Sequence, residues 1–337
     1  MLPSRSIPMA PTQKTSHVPR LNARIISGFW RRLAAFLIDS LIVGMTGFLI
    51  GLLFFNKLAQ LGQWGRVVGF VIAALYFSVL NSELGNGQTP GKRALGIEVV
   101  NKSGRHISLF RSFLRYSVLS IPFFLNNASL SLPLDSSLPV LIAGLLVFGL
   151  GGATIYLLVF NRRTRQGTHD LVAGTYVVRS SPKGIVNHGD VWRPHFAIIG
   201  AWCVAVMAAG PVIAIYTKDN QTFKNLIAIQ KEIEATGKVH FASASEGKSW
   251  GYLGGKKWEV NYLQIRAILR EPPEDYEKAA HEIAKIVLAQ YPKIPEKRVI
   301  SVVLSYGYDI GIASGWRNHI YSYRAGEWQK ILHTTTL

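Results

Sequence analysis

Residues 32–55 read RLAAFLIDSLIVGMTGFLIGLLFF, an apolar run that opens on Arg32 and contains one carboxylate, Asp39. The run is long enough to cross the hydrocarbon core of a bilayer, which needs about 20 apolar residues. A carboxylate inside such a span costs about 2.5 to 3.5 kcal/mol, so it normally faces protein or water and marks a functional pathway. Seven residues are two helical turns, and we therefore expect Arg32 and Asp39 to form an intramembrane polar pair on one helix face.

Composition supports a membrane class. The chain of 337 residues is 49% hydrophobic and 17% charged, with a formal net charge of +18. Residues 1–216 contain 20 Lys and Arg against 6 Asp and Glu, so most of the excess lies in the apolar part of the chain. Such charge orients membrane helices and attracts anionic headgroups. No nucleic-acid-binding module accompanies it, and nucleic acid is not predicted as a partner.

Further uncharged runs predict an all-α transmembrane bundle of about five spans, followed by a soluble α+β domain. Pro122, Asn126 and Asn127 interrupt the third span. The only cysteine, Cys203, excludes a disulfide framework and a thiolate metal site, and no cofactor or metal is predicted. The predicted spans are 33–55, 67–82, 116–134, 138–160 and 196–217, the last within a linker segment 184–217.

Basic residues predict the orientation of these spans. Six Lys and Arg lie in each of the segments 1–32, 81–115 and 161–195, which the positive-inside rule places in the cytoplasm. Residues 1–24 then form a disordered cytoplasmic tail, and the first span is an uncleaved anchor. Two helical hairpins and a fifth crossing carry residues 218–337 to the extracytoplasmic side. Gly47 and Gly51 form a small-xxx-small pair, typical of close helix packing within one chain or between two copies.

Three motifs in order resemble the RDD family of multi-pass membrane proteins over roughly residues 25–180, and the RDD-like membrane domain is predicted at 25–183. They are Arg32 with Asp39, the loop Gly87-Gln88-Thr89-Pro90-Gly91-Lys92, and His169-Asp170 within RQGTHD. The resemblance implies a bacterial inner-membrane domain whose molecular role is mostly undefined. Some relatives are proposed to exchange sodium or potassium for protons, so monovalent cations and protons are the implied partners beside the lipid bilayer.

Two roles stay open for the carboxylates. Asp39 held by Arg32 would keep a depressed pKa and act as structural glue, whereas a carboxylate that changes partners could carry protons or cations together with Asp170. His169 either hydrogen-bonds a loop backbone or senses pH. We expect a cytoplasmic polar cluster that contains the loop, His169 and Asp170.

The C-terminal segment, 218–337, predicts a small α+β domain behind a stalk helix. Strands are predicted at 239–244, 258–269, 299–308, 310–314 and 320–323, and a helix at 273–291. Its histidines are not at ligand spacing and no serine lies in a nucleophile elbow, so no enzyme is predicted. We expect a binding or sensing domain. The alternative is a non-transporting scaffold or assembly factor that recruits a protein partner through this domain.

Overall fold

The computed structural model describes residues 20–21, 25–126, 137–180, 185–186 and 190–334. A helical N-terminal region is followed by a C-terminal domain that contains a β-sheet, as the sequence predicts. Apart from residues 20–21, the predicted tail 1–24 lies outside the described residues.

Helices α1 (Phe29–Leu61) and α2 (Gly65–Leu80) form the first hairpin. Helix α1 extends beyond the predicted span 33–55 at both ends, because the polar residues after Phe55 are compatible with helix. Helix α2 begins before the predicted span 67–82 and ends before residue 82. A kink lies at Phe54 (φ −122°, ψ 25°). Helix α1 ends where Gly62 takes φ +54°, a left-handed conformation that glycine adopts without strain, and a short 3₁₀ turn, Gly62–Trp64, leads into α2.

Among the described residues, three segments are long and apolar enough to cross a membrane: Phe29–Leu80, which contains α1 and α2, Leu138–Phe160 and Pro194–Thr217. The third predicted span, 116–134, is not among them. Helix α4 (Leu109–Leu125) begins earlier, includes Arg111 and Arg115, and ends before residues 127–136, which lie outside the described part of the chain. The count of five spans therefore stays a prediction.

The remaining N-terminal elements, apart from the long helix Pro194–Thr217, are short. Strands β2 (Ile97–Asn101) and β3 (Thr175–Arg179) pair antiparallel, and β1 (Arg20–Leu21) pairs in parallel with β4 (Ile185–Val186). The helices are α3 (Pro90–Ala94), α5 (Ser137–Gly144), α6 (Leu150–Phe160), α7 (Thr168–Ala173) and α8 (Pro194–Thr217), with a π-helical segment, Leu145–Gly149, between α5 and α6.

The C-terminal domain follows α9 (Gln221–Ala235) and consists of β5 (Val239–Leu253), β6 (Lys256–Leu269), α10 (Tyr276–Gln290), β7 (Val299–Asp309), β8 (Ser314–Arg324) and α11 (Ala325–Thr334). Its strands form one sheet in the order β5-β6-β7-β8. Helix α10 connects β6 to β7, which pair in parallel, and the other two pairs are antiparallel. Fully buried Ile229, Leu263 and Trp328 join α9, the sheet and α11 in one core.

The predicted strand at 310–314 is wrong. Residues 310–313 form the loop between β7 and β8, closed by a hydrogen bond from the Ile310 N–H to the Ala313 carbonyl (3.0 Å). We call residues 309–313 the hairpin tip. Its apolar residues do not continue the sheet because they pack between α1 and α2 instead.

Five glycines on α1 and α2 receive the hairpin tip and the adjoining part of β7. A β-carbon at Gly51 would overlap the Tyr308 hydroxyl, and one at Gly47 would lie 2.9 Å from the Ile312 side chain. Arg66 at the start of α2 forms an ion pair with Asp309 (2.6 Å). The glycine groove, as we name this surface, consists of Gly44, Gly47 and Gly51 on α1 with Gly65 and Gly69 on α2.

Candidate functional site

Asp39 is completely buried and is bound by three neutral donors. The Tyr76 hydroxyl donates to one carboxylate oxygen (2.9 Å), and the Gly91 N–H donates to the same oxygen (2.9 Å). The Thr89 hydroxyl donates to the other oxygen (2.5 Å). No Lys, Arg or His nitrogen of the described residues lies within ion-pair distance, 4.0 Å, of this carboxylate. We call this arrangement the Asp39 site.

The loop motif is built around this carboxylate. Thr89 caps α3, accepting a hydrogen bond from the Lys92 N–H while its hydroxyl donates to Asp39. Pro90 occupies the first turn, where its missing N–H costs nothing. A β-carbon at Gly91 would lie 2.2 Å from the Ala35 carbonyl oxygen, so only glycine lets α3 approach α1 this closely.

The other two motif residues fix the loop to the small sheet. Gly87 has φ +65° and lies against the Val99 carbonyl. The Gln88 amide donates to the Ile97 carbonyl (3.1 Å) and to the Ser180 hydroxyl (2.6 Å). The motif therefore positions donors for Asp39 rather than forming a separate binding loop.

Asp170 is also completely buried, but cations hold it. Arg32 Nη1 lies 3.1 Å from one carboxylate oxygen and Arg115 Nε 2.9 Å from the other. The Thr175 hydroxyl and the Gly167 N–H add donors at 3.0 and 3.4 Å. Burial alone would raise the pKa of Asp170, but the charges of Arg115 and Arg32 outweigh it and hold the pKa well below its usual range. This Asp170 site ties α1, α4 and α7 together.

The expected Arg32–Asp39 pair is therefore wrong. Arg32 directs its guanidinium to Asp170 and to the Val177 carbonyl (3.3 Å), both far along the chain. Asp170 is completely buried, and Arg32 is one of two arginines that compensate its charge. Asp39 is left to uncharged donors, which the pattern of charges along α1 does not reveal.

Two further titratable side chains, Lys92 and His169, lie close to the carboxylates. Lys92 interacts electrostatically with Asp39 and Asp170, but its ammonium makes no ion pair with the described residues. Burial, aided by the Arg115 charge, lowers the pKa of Lys92 to about 7. Burial lowers the pKa of His169 to about 3, and its Nδ1 is buried without a hydrogen-bond partner. His169 Nε2 lies 3.5 Å from Asp170.

The structure thus brings the three sequence motifs into one polar cluster around the N-terminal part of α1. Sequence reasoning missed Arg115 and Tyr76 as members. Arg115 is one of the six basic residues of segment 81–115 that predict the orientation of the spans. Its position directly before the predicted third span also indicates a candidate partner for a buried carboxylate. Tyr76 lies in an apolar helix, and no pattern in the sequence distinguishes it. Across the described ranges, no three His, Cys, Asp or Glu side chains are placed to hold a metal ion.

Comparison with known proteins covers the same part of the chain. The model of the RDD family matches residues 26–174. The chain is 32% identical over 159 residues to "Uncharacterized protein YckC" of Bacillus subtilis (strain 168), an alignment that spans 46% of this chain and 86% of that protein. No solved structure matches. The family match contains Arg32, Asp39, Arg115 and Asp170 and ends before α8.

Proposed function

Because the chain belongs to the RDD family through residues 26–174, we propose that it is a membrane protein that exchanges a monovalent cation for protons at the Asp39 site. One observation supports this role above the others. Asp39 is a fully buried carboxylate among apolar helices whose hydrogen-bond partners are all uncharged.

The contrast with Asp170 favours Asp39 as the carrier. The carboxylate of Asp170 does not need a proton or a cation, because two arginines already compensate its negative charge. Asp39 makes no ion pair with the described residues, so a bound cation would balance its charge. Its neighbours Thr89, Tyr76 and the Ala35 carbonyl supply oxygen atoms, the ligand type that hard cations prefer.

Lys92 gives the site a second proton-binding group. With a pKa of about 7, its ammonium loses a proton near neutral pH while Asp39 is close by. A cation that enters beside Asp39 would favour the uncharged amine, and departure of the cation would favour the ammonium. The bound cation and the Lys92 ammonium disfavour each other because both are positive. Binding of the cation would therefore alternate with binding of the proton, as an exchange requires.

The orientation we propose follows the basic loops. The three clusters of Lys and Arg favour a cytoplasmic location for the Asp39 end of α1, in the inner membrane of a bacterium. The C-terminal domain packs on the other end of the α1–α2 hairpin, where His240 faces Gly62, and would then be extracytoplasmic.

The test is collapse of an imposed pH gradient in vesicles that contain the purified protein, with sodium, potassium and lithium added in turn. Wild type should dissipate the gradient with at least one cation, and Asp39→Asn should abolish this flux. Asp219→Asn is the matched control, because Asp219 is exposed between α8 and α9 and should leave the flux unchanged. Absence of flux from correctly folded wild type would refute the exchange.

A second role is favoured by a different observation. Strand β6 pairs with β7 only from Tyr262 onward. Its earlier residues pair with β5 alone, and this two-stranded ribbon ends in the turn at Gly254 and Gly255. Trp250 and Tyr252 lie on one face of this ribbon, 64% and 69% exposed. Exposed aromatic residues are enriched at protein interfaces, so the ribbon supports the scaffold role, in which the C-terminal domain recruits a protein partner.

The two roles separate in cells. A scaffold predicts that Asp39→Asn keeps function, whereas Trp250→Ser with Tyr252→Ser removes it without loss of the folded protein. A photocrosslinker at position 250 should then give a discrete adduct that a crosslinker at exposed Lys278 on α10 does not give. If the ribbon variant keeps full function, the scaffold role through this surface is wrong.

A further inference from the structure

A cavity of about 310 Å³ lies where α6 ends and α8 begins. It belongs to neither carboxylate site. Both helices are parts of segments long and apolar enough to span a membrane, so the cavity lies at the level where such segments meet water. Its lining consists of Tyr156, Phe160, Arg162, Arg163, Trp192 and His195.

The two arginines bring positive charge without a counter-ion. Arg162 and Arg163 are exposed, and their guanidinium groups form no ion pair and no side-chain hydrogen bond with the residues that the structure describes. Guanidinium groups match the oxygen geometry of phosphate and bind it through paired hydrogen bonds. The mouth of the cavity is therefore suited to a phosphate group.

The aromatic wall is fixed by its own contacts. The Tyr156 hydroxyl lies 2.9 Å from His195 Nδ1, and the Trp192 ring meets the His195 ring edge-to-face at 5.2 Å. His195 is only 6% exposed. Tyr and Trp side chains favour the interface between lipid tails and water, because one end of the ring system is apolar and the other is wet.

Helix α8 adds a third attraction for an anion. It begins at Pro194 and has 24 residues, and the N–H groups of His195 and Phe196 donate to the carbonyls of Trp192 and Arg193. The N-terminus of a helix carries a partial positive charge. Trp192 and His195 place this helix end at the cavity, beside the two arginines.

Deeper along α8, a larger apolar cavity of about 790 Å³ lies between α5, the π-helical segment and α8. Val140, Phe148 and Val206 are among its lining residues, and Trp202 donates to the Phe148 carbonyl at its edge (3.0 Å). Trp202 follows His195 by seven residues, which is about 10 Å along a helix. A molecule with a phosphate at one end and a long apolar chain at the other matches both cavities.

We propose that Tyr156, Arg162, Arg163, Trp192 and His195 form a binding site for the phosphate headgroup of an anionic glycerophospholipid. The acyl chains of this lipid lie along α8 in the larger apolar cavity. The site is independent of the proposed cation exchange, because it shares no residue with the Asp39 site.

Native mass spectrometry of the full chain in a neutral detergent tests the proposal. Phosphatidylglycerol and phosphatidylcholine with identical acyl chains are the probes. Wild type should retain phosphatidylglycerol in preference to phosphatidylcholine. Arg162→Gln with Arg163→Gln should weaken this retention roughly thirtyfold, because each of the two basic side chains near an anionic lipid contributes about 1 kcal/mol.

The matched control is Arg105→Gln with Arg179→Gln, which removes two exposed arginines from the β2 turn and from β3 and should leave retention unchanged. Equal retention of the two lipids by wild type overturns the proposal. So does unchanged retention in the Arg162/Arg163 variant, or an equal loss in the control.

A competition on wild type alone covers the case in which the variant does not fold. Inorganic phosphate at the concentration of the lipid should not displace phosphatidylglycerol, because it lacks the acyl chains. Displacement by phosphate would show a site for the free ion and would overturn the assignment to a lipid. Retention of phosphatidylglycerol against phosphate, with phosphatidylcholine lost, supports it.

Discussion

The Ile310 carbonyl oxygen occupies the space beside Gly69 where any other residue would place its side chain. A β-carbon at position 69 would lie 1.7 Å from this oxygen and 2.8 Å from the carbonyl carbon. The loop between two strands of the C-terminal domain is thus in contact with the backbone of a membrane-type helix. This contact, together with the Arg66–Asp309 ion pair, joins the two parts of the chain.

We expect Gly69→Ala to displace the hairpin tip and to destabilise the protein by about 1 to 3 kcal/mol, as overpacking does in other cores. Gly44→Ala is the matched control, since its β-carbon would lie 3.5 Å from the nearest atom, an ordinary contact. The measurement is maleimide labelling of Ile312→Cys in a Cys203→Ser background. Labelling should rise with Gly69→Ala and not with Gly44→Ala, and equal labelling of both would contradict the packing.

Asp170→Asn should destabilise the protein by about 3 to 5 kcal/mol, because it leaves two arginines in a buried site without their carboxylate. Thermal unfolding in detergent measures the change. Asp219→Asn, at an exposed position, should stay within about 0.5 kcal/mol of wild type. A small effect of Asp170→Asn would mean that the Asp170 site does not hold α1, α4 and α7 together.

His169 should make the protein less stable in mild acid. Its pKa falls from 6.5 to about 3 on folding, so the folded state keeps it neutral while the unfolded chain takes up a proton below pH 6.5. Stability then falls as the pH drops from 6.5 toward 3. His169→Gln should flatten this dependence between pH 7 and pH 5 in unfolding experiments. Exposed His333→Gln should keep it, and a wild-type slope in His169→Gln would contradict the buried neutral ring.

Lys92 should make the stability of the protein depend on pH in the alkaline range. Its pKa falls from 10.5 to about 7 on folding, so between these values the unfolded chain binds more protons than the folded one. Stability should therefore rise as the pH increases from 7 toward 10.5. Lys92→Met should remove this rise and stabilise the protein near pH 7 by about 1 kcal/mol or more, since a desolvated charge is lost. Lys102→Met, in an exposed turn, should do neither.

Local patterns predicted the helices, the C-terminal sheet and the family, because apolar runs and turn residues act over short distances. The Arg32–Asp39 pairing failed for a physical reason. Residues seven apart share a helix face, but Arg32 also reaches Asp170, which is 138 residues away and already bound by Arg115. Competition between near and distant partners depends on the tertiary structure, and the sequence of α1 alone does not contain it.

The glycines of α1 show the same limit. Gly47 and Gly51 indicate a close approach, and the structure contains one, but the neighbour is a β-hairpin and not a second helix. Small residues reveal that something packs closely without identifying it. The residues that fill the groove are Tyr308, Ile310 and Ile312. All three lie in the predicted strands 299–308 and 310–314, but only Tyr308 belongs to a strand of the structure.

Insertion of the hairpin tip also sets an order for biogenesis. The glycine groove is complete once residue 80 has been synthesised, but its occupant, residues 309–313, leaves the ribosome more than two hundred residues later. In the interval the groove is open to lipid or to another protein. Maturation of the first helical hairpin therefore waits for nearly the whole chain, so a nascent chain that stops before residue 309 cannot complete it.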